Sequence, residues 1–306
     1  MPLCAYGQTL YPSKPIRIIV PLAAGGPSDL LARTLGQKFT ETWSQPVVID
    51  NRTGANGVVG CEIAAKSPPD GYTLLMGTNG THGINASLFS KLPYDTVNDF
   101  APIARIGIAP YVLVAHPSLP VRSVAELIAL ARARPGQISI ASGGSASHLA
   151  SALFKSMAGI DLLLVPYKGN SLAVTAVMSG ETSLVFGNIA QSLPQVNAGR
   201  MRALGVTSAR RSSVMPNVMT IAESGIAGFE TSTWYGMLAP AGTPRPVVDK
   251  LNAEIVRILH LPDVRARLSA EAFELPADTP DQFAGIIKSE LTRWAKVVKE
   301  TGARFE

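Results

Sequence analysis

The sequence predicts an α/β fold of two lobes, each a mainly parallel sheet flanked by helices. Three observations carry this expectation. Short apolar runs alternate along the chain with helix-period patterns, and the runs end repeatedly in turns of glycine and small polar residues. The same strand, glycine turn and helix construction restarts after Pro135-Gly136. Strands alternating with helices pair in parallel, and ligands of such sheets bind beyond the carboxyl ends of the strands.

The first apolar run, 16–20, enters Pro21-Leu22-Ala23-Ala24-Gly25-Gly26-Pro27-Ser28-Asp29 and then a helical pattern in which Leu31, Leu35 and Phe39 recur at every fourth position. Ser28 and Asp29 suit a first helical turn, and the glycine pair lets another molecule approach the main chain. Unpaired N–H groups and the positive end of the helix dipole favour an anion there. A short strand at 47–50 leads to a second glycine turn at 51–60, and a strand at 72–76 closes into Gly77-Thr78-Asn79-Gly80-Thr81-His82.

A strand at 111–115 precedes Ser123-Val124-Ala125-Glu126, a capping box opening a helix that Pro135-Gly136 stops. The strand at 138–141 runs into Ser142-Gly143-Gly144-Ser145-Ala146-Ser147-His148, built like the first turn. Strands at 162–165, 183–186 and 203–207 follow, the first ending in Pro166-Tyr167-Lys168-Gly169-Asn170 and the second in Gly187-Asn188. A strand at 234–239, helices at 246–259 and 280–301, and a short last strand at 304–305 finish the chain. The C-terminal helices bring no sheet of their own, so they are expected to cover the first one. That gives a discontinuous lobe of residues 1–112 and 232–306 with a second lobe, 113–231, inserted into it.

With 306 residues, 46% hydrophobic and 16% charged, the chain buries a large core and is not disordered. It has no apolar run of about eighteen residues, the minimum for a spanning helix. The net charge of +5 is spread out, with Arg210-Arg211 the densest point, so no basic stripe for nucleic acid exists. Cys4 and Cys61 specify neither a disulfide scaffold nor a metal site, and His82, His116, His148 and His260 are scattered. Neither a metal nor a cofactor is expected. Gly54, Gly57 and Gly60 miss the dinucleotide fingerprint, and Gly143-Gly144-Ser145-Ala146-Ser147 misses the nucleophile elbow by ending in serine. Two turns of one make, facing each other across a cleft with few acids or bases, suit holding an anion better than converting it. Tyr167, Trp234 and Tyr235 are the aromatics best placed to line such a cleft.

The chain resembles the substrate-binding proteins of tripartite tricarboxylate transporters, the Bug family. The resemblance spans nearly all of it and rests on Tyr11-Pro12-Ser13-Lys14-Pro15-Ile16-Arg17, Pro21-x-x-x-Gly25-Gly26-x-x-Asp29, Asn51-Arg52-x-Gly54-Ala55-x-Gly57 and Pro69-Asp70-Gly71-Tyr72-Thr73-Leu74. Ser145-x-x-His148-Leu149-Ala150, Val165-Pro166-Tyr167-Lys168-Gly169 and Ala239-Pro240-Ala241-Gly242-Thr243-Pro244 continue it. It implies a two-lobed, type II periplasmic-binding-protein-like fold that closes over a small carboxylate, through main-chain and hydroxyl groups and ordered water, and delivers it to membrane transporter subunits. The implied alternative is a sensor of the same fold that passes the signal to another partner.

Carried onto this sequence, the ligand contacts fall on Ala24, Gly25, Gly26 and Ser28, on Thr78 and Asn79, and on Ser142, Gly143, Ser145 and Ser147, with Tyr167 and Asn188 added. Asp29 is expected to brace its helix end. A periplasmic monomer is implied, and the opening residues, which lack a basic stretch and a long apolar stretch, are read as a leader that is absent or truncated. Two features depart from the family pattern. The Ser142 turn is about two residues short, and Gly187 stands where many relatives carry Asp, which argues against amino-acid ligands. Ala23-Ala24 leaves room for a larger carboxylate.

Overall fold

The computed structural model describes residues 11–302. The chain runs through β1 (Ile16–Val20), α1 (Pro27–Trp43), β2 (Val47–Asn51), α2 (Val58–Ala65), β3 (Thr73–Thr78), α3 (Asn85–Leu88), β4 (Phe100–Ala115) and α4 (Val124–Ala133). It continues through β5 (Ser139–Ser142), α5 (Ser145–Ala158), β6 (Leu163–Pro166), α6 (Asn170–Met178), β7 (Leu184–Asn188), α7 (Ile189–Asn197), β8 (Arg202–Val206) and β9 (Ser232–Pro240). Helices α8 (Arg245–Leu259), α9 (Pro262–Ala270) and α10 (Pro280–Thr301) complete it. The expected strand at 304–305 and Cys4 lie outside the described residues.

β1 pairs in parallel with β2 and β3, and β5 pairs in parallel with β6 and β7. Between these two parallel sets stand the antiparallel strands β9 and β4, in the order β2-β1-β3-β9-β4-β7-β5-β6, with β8 also on β4. β4 belongs to both halves: Phe100–Pro110 pairs with β9, and Tyr111–Ala115 with β7 and β8. The sequence reading placed only 111–115 in a strand. Pro102, Gly107 and Pro110 hid the rest, and the register shifts between Pro102 and Ala104 and between Arg105 and Gly107 show how the strand admits such residues, at bulges.

Strand alternation sorts side chains into separate clusters on the two faces. Ile16, Ile18 and Val20 join Leu74, Met76, Tyr235 and Met237 under α1 and α8, while Ile19, Leu75, Trp234 and Leu238 turn the other way, towards α2 and Phe283 and Ile287 of α10. In the other half, Leu113, Ile140, Phe154 and Phe186 form one core and Val112, Val114, Val174 and Val185 the opposite one. The C-terminal helices α8 and α10 therefore cover the first sheet from its two sides. A small cluster of Ile84, Leu88, Trp294 and Val297 also takes in Leu149 of α5, so α10 touches both halves.

Two helix starts differ instructively. α10 opens with a complete capping box, Thr279 with Gln282. At α4 only half of the expected box forms: Ser123 Oγ accepts from the Glu126 N–H at 3.1 Å, but the Glu126 carboxylate accepts from Arg122 N–H at 2.6 Å.

Candidate ligand cleft

Because β1, β2 and β3 are parallel and each leads into helix, the N-termini that follow them lie along one edge of the first half. The same holds for β5, β6 and β7 with α5, α6 and α7. Pro110 opposes Ser232 and Tyr111 opposes Asn188, which brings the carboxyl edges of both halves to the middle of β4. The crossing itself is tied by hydroxyls. Tyr111 N–H donates to Thr207 Oγ1 at 2.8 Å, Thr207 Oγ1 donates to Thr231 O at 2.6 Å, and the Tyr111 and Thr233 hydroxyls lie 2.6 Å apart.

In the first turn Gly25 has φ +77°, a left-handed conformation that glycine adopts freely. Asp29 does brace this turn. Its carboxylate accepts from Gly25 N–H at 3.0 Å, Arg33 Nε at 2.8 Å and Asn51 Nδ2 at 3.1 Å. Burial raises the Asp29 carboxyl, but these hydrogen bonds outweigh it and hold the group below the usual carboxylate range. The Gly25 N–H is therefore spent inside the protein, while the first-turn N–H groups of Ser28 and Asp29 have no carbonyl four residues back within the helix. Ser28 Oγ is buried with no partner among the described residues.

The Ser142–His148 turn uses its hydroxyls internally. Ser147 Oγ accepts from Gly143 N–H at 2.7 Å, Ser142 Oγ lies 3.2 Å from His148 Nδ1, and Ser145 Oγ donates to Asn85 Oδ1 at 2.7 Å. Gly143 is required for close approach, because a Cβ there would lie 2.4 Å from Asn170 Cα and N. Burial, aided by Lys155, keeps the His148 pKa below its ordinary value, so the ring is neutral at pH 7.

Gly25, Gly26 and Pro27 form one wall of a concavity with about 450 Å³ of empty space, part of it open to solvent. The start of α7, Asn188 to Gln191, lines it too, with Leu30 of α1, Ala109 and Pro110 of β4, and Glu271, Ala272 and Phe273 completing it. Two helix N-termini thus share one hollow whose lining includes no Lys, Arg or His and one acid, Glu271. Of the expected contacts, Gly25, Gly26 and Asn188 line it. Ala24 is exposed beside it, and the Ser142 turn lies elsewhere on the edge, against Gly80 and Asn85. Thr78 Oγ1 accepts from Thr81 N–H at 3.3 Å, and Asn79 Nδ2 donates to Ser232 O at 2.8 Å, while the buried Asn79 Oδ1 has no partner among the described residues.

Tyr167 is turned away: its hydroxyl donates to Glu181 Oε1 at 2.8 Å and its ring packs beside Val174 and Val177. Trp234 and Tyr235 point into cores on opposite faces of the sheet. Gly187 faces inward too, where a Cβ would lie 2.3 Å from Ser192 Oγ, so the space an Asp side chain would need is filled. Sequence reasoning missed Gln191, whose only signal was its place three residues into a helix, and Asn170. Asn170 clamps two helix starts together, its Nδ2 donating to Phe186 O at 2.9 Å and its Oδ1 accepting from Asn188 N–H at 3.0 Å.

The family model described as tripartite tricarboxylate transporter family receptor matches residues 31–303. The chain belongs to this family. The receptor is 38% identical to the protein BugT of Bordetella pertussis, over 97% of this chain and 92% of that one. Its fold superposes on R. palustris Rpa4515 with adipate at a TM-score of 0.91, with 36% identity over 95% of this chain and 98% of the other. MatC from Rhodopseudomonas palustris with bound malate matches at a TM-score of 0.87, with 33% identity over 94% of this chain and 100% of the other. The receptor family is one of solute-binding proteins, and among the described residues no helix is long and apolar enough to cross a membrane.

Proposed function

We propose that this receptor captures a small carboxylate between two lobes, residues 1–112 with 232–306 and residues 113–231, and hands it to a membrane transporter from the periplasm. The observation that carries this reading is the pair of helix N-termini, α1 at Gly26 and α7 at Asn188, that line one concavity. Oriented N–H groups and dipole ends attract an anion without a side-chain cation. The adipate and malate held by the two solved relatives are of the same class. The hydroxyl knot of Tyr111, Thr207, Thr231 and Thr233, at the only place where β4 passes between the halves, suits a hinge.

Titration calorimetry against mono-, di- and tricarboxylates tests the reading. Binding of at least one, with no chemical change in the recovered ligand, is expected. Silence across the panel, or turnover of an ester, defeats it. Co-purification with membrane subunits, as opposed to a signalling protein, separates a transporter receptor from a sensor.

A further inference from the structure

Helix α9 ends in a turn that glycine usually makes. Ala272 N–H donates to Ser269 O at 3.0 Å and Phe273 N–H to Leu268 O at 3.0 Å, and Ala272 itself is left-handed, with φ +61°. A side chain is disfavoured in that conformation, and helices commonly end there on glycine. Of the four non-glycine residues with positive φ among the described residues, Ser44, Ala55, Asn56 and Ala272, only Ala272 is buried. Its methyl group joins the cluster of Val112, Val174, Val185 and Ile189, the last of these the first residue of α7.

The next residue, Phe273, belongs to the other core. Its ring meets Tyr235 edge-on, 5.7 Å between centroids, and a Cβ on Gly107 would touch both Phe273 Cδ1 at 2.9 Å and Leu31 Cδ1 of α1 at 3.5 Å. Glu274 then pairs with Ile108 of β4, N–H to O in both directions, at 2.8 and 2.9 Å. Covalent geometry holds the Cα atoms of Ala272 and Phe273 about 3.8 Å apart, yet they enter the cores of two different helices, α7 and α1, whose N-termini line the concavity beside them. We propose, on the footing of the carboxylate reading, that Ala272 is a positioning residue: anchored by Phe273 and Glu274, its methyl group sets the spacing between the N-termini of α1 and α7, and through them the affinity for the ligand. The backbone strain is kept for that contact, since glycine would relax the turn and leave the second core untouched.

Ala272→Gly separates spacing from stability. Relief of strain offsets the lost methyl contact, so the melting temperature should hold or rise. Calorimetry with malate, succinate and adipate should nevertheless show affinity lower by about threefold to tenfold for every acid that binds. Ala55→Gly relaxes a second left-handed alanine, an exposed one, and should keep affinity within about twofold of wild type. Spin labels at Gln37→Cys of α1 and Asn197→Cys of α7, both exposed, read the spacing without ligand in a Cys4→Ser background, Cys61 being buried. Their distance distribution should be broader with Ala272→Gly than without it. The inference is overturned if affinity and distance distribution stay as in the wild type, if the melting temperature falls together with affinity, or if Ala55→Gly weakens binding equally. Absence of binding by every acid instead overturns the carboxylate reading, and the distance distribution alone then decides the spacing.

Discussion

Ser145 Oγ donates to Asn85 Oδ1 at 2.7 Å, and both residues are buried, one opening α5 beside β5 and the other opening α3 after β3. Asn85 is held in turn by its Nδ2, which donates to Asn56 O at 3.1 Å. Together with the cluster of Leu149, Trp294 and Val297, this contact joins α5 to α3 and α10. Ser145→Ala leaves Asn85 Oδ1 buried and unpaired, at a cost of about 1–3 kcal/mol. The expected outcome is a larger radius of gyration by solution scattering without ligand, restored at saturating carboxylate, with weaker binding. An unchanged radius and unchanged affinity would show that the contact is passive.

Gly143→Ala drives a methyl group to within 2.4 Å of the Asn170 backbone, which cannot move without carrying α6 and the Asn170 bonds to Phe186 and Asn188. Overpacking of this kind costs about 1–3 kcal/mol. Denaturant unfolding should show that loss and calorimetry a weakened ligand, since the Asn188 end of the concavity shifts. Gly144→Ala, whose Cβ meets nothing within 4 Å but whose φ is +106°, separates backbone strain from collision.

Asp29→Asn removes the charge that gathers Gly25 N–H, Arg33 and Asn51. The carboxyl lies below its ordinary range in the folded protein, so its contribution is present at neutral pH and is lost as pH falls through the folded value. At pH 7 the variant should be less stable by about 1–3 kcal/mol, the cost of disrupting a buried charged hydrogen-bond set. As pH falls below the folded value the wild type and the variant should converge. Equal melting temperatures at pH 7 would contradict the bracing role.

His82 titrates with the opposite chemistry and the same direction. Burial pushes its pKa down to about 3, its Nδ1 lies 2.8 Å from Thr81 Oγ1, and its Nε2 has no partner among the described residues. Below about pH 6.5 the unfolded chain takes up a proton that the native ring refuses, so the unfolded state binds more protons and stability rises with pH across this window. The single group makes stability fall by about 1.4 kcal/mol per pH unit as pH drops from 6.5 towards 3. His82→Gln should flatten the dependence by that amount between pH 6 and 4, measured as the slope of unfolding free energy. Parallel curves for the two proteins would disprove it.

How far the sequence could be read depended on how local each signal is. α10 kept its expected bounds because Thr279, Pro280 and Gln282 mark its start within four residues and its apolar period runs without interruption. The α1 turn and its Asp29 brace were readable for the same reason: bonds from residue 25 to 29 to 33 need only one turn of helix. α9 went unseen, since nine residues between two prolines and polar neighbours leave little period to detect. The relation between the two sheets was less legible. Ser142–His148 reads as the partner of the first turn; its hydroxyls bond Gly143, His148 and Asn85, and the start of α7 lines a concavity with Gly25 and Gly26.

By itself, then, the sequence determined the alternation of strands and helices, the glycine turns that open the helices, and the motifs by which the family is recognised. All of these are written in residues within a few positions of one another. Tertiary structure alone decided that one sixteen-residue strand, β4, serves both halves, and that Asn188 and Gln191 line one concavity with Gly26. It also decided that Ser145 belongs to Asn85. Those relationships join segments distant along the chain, and they follow from strand pairing and core packing, which set the distance between two groups without leaving a pattern around either one.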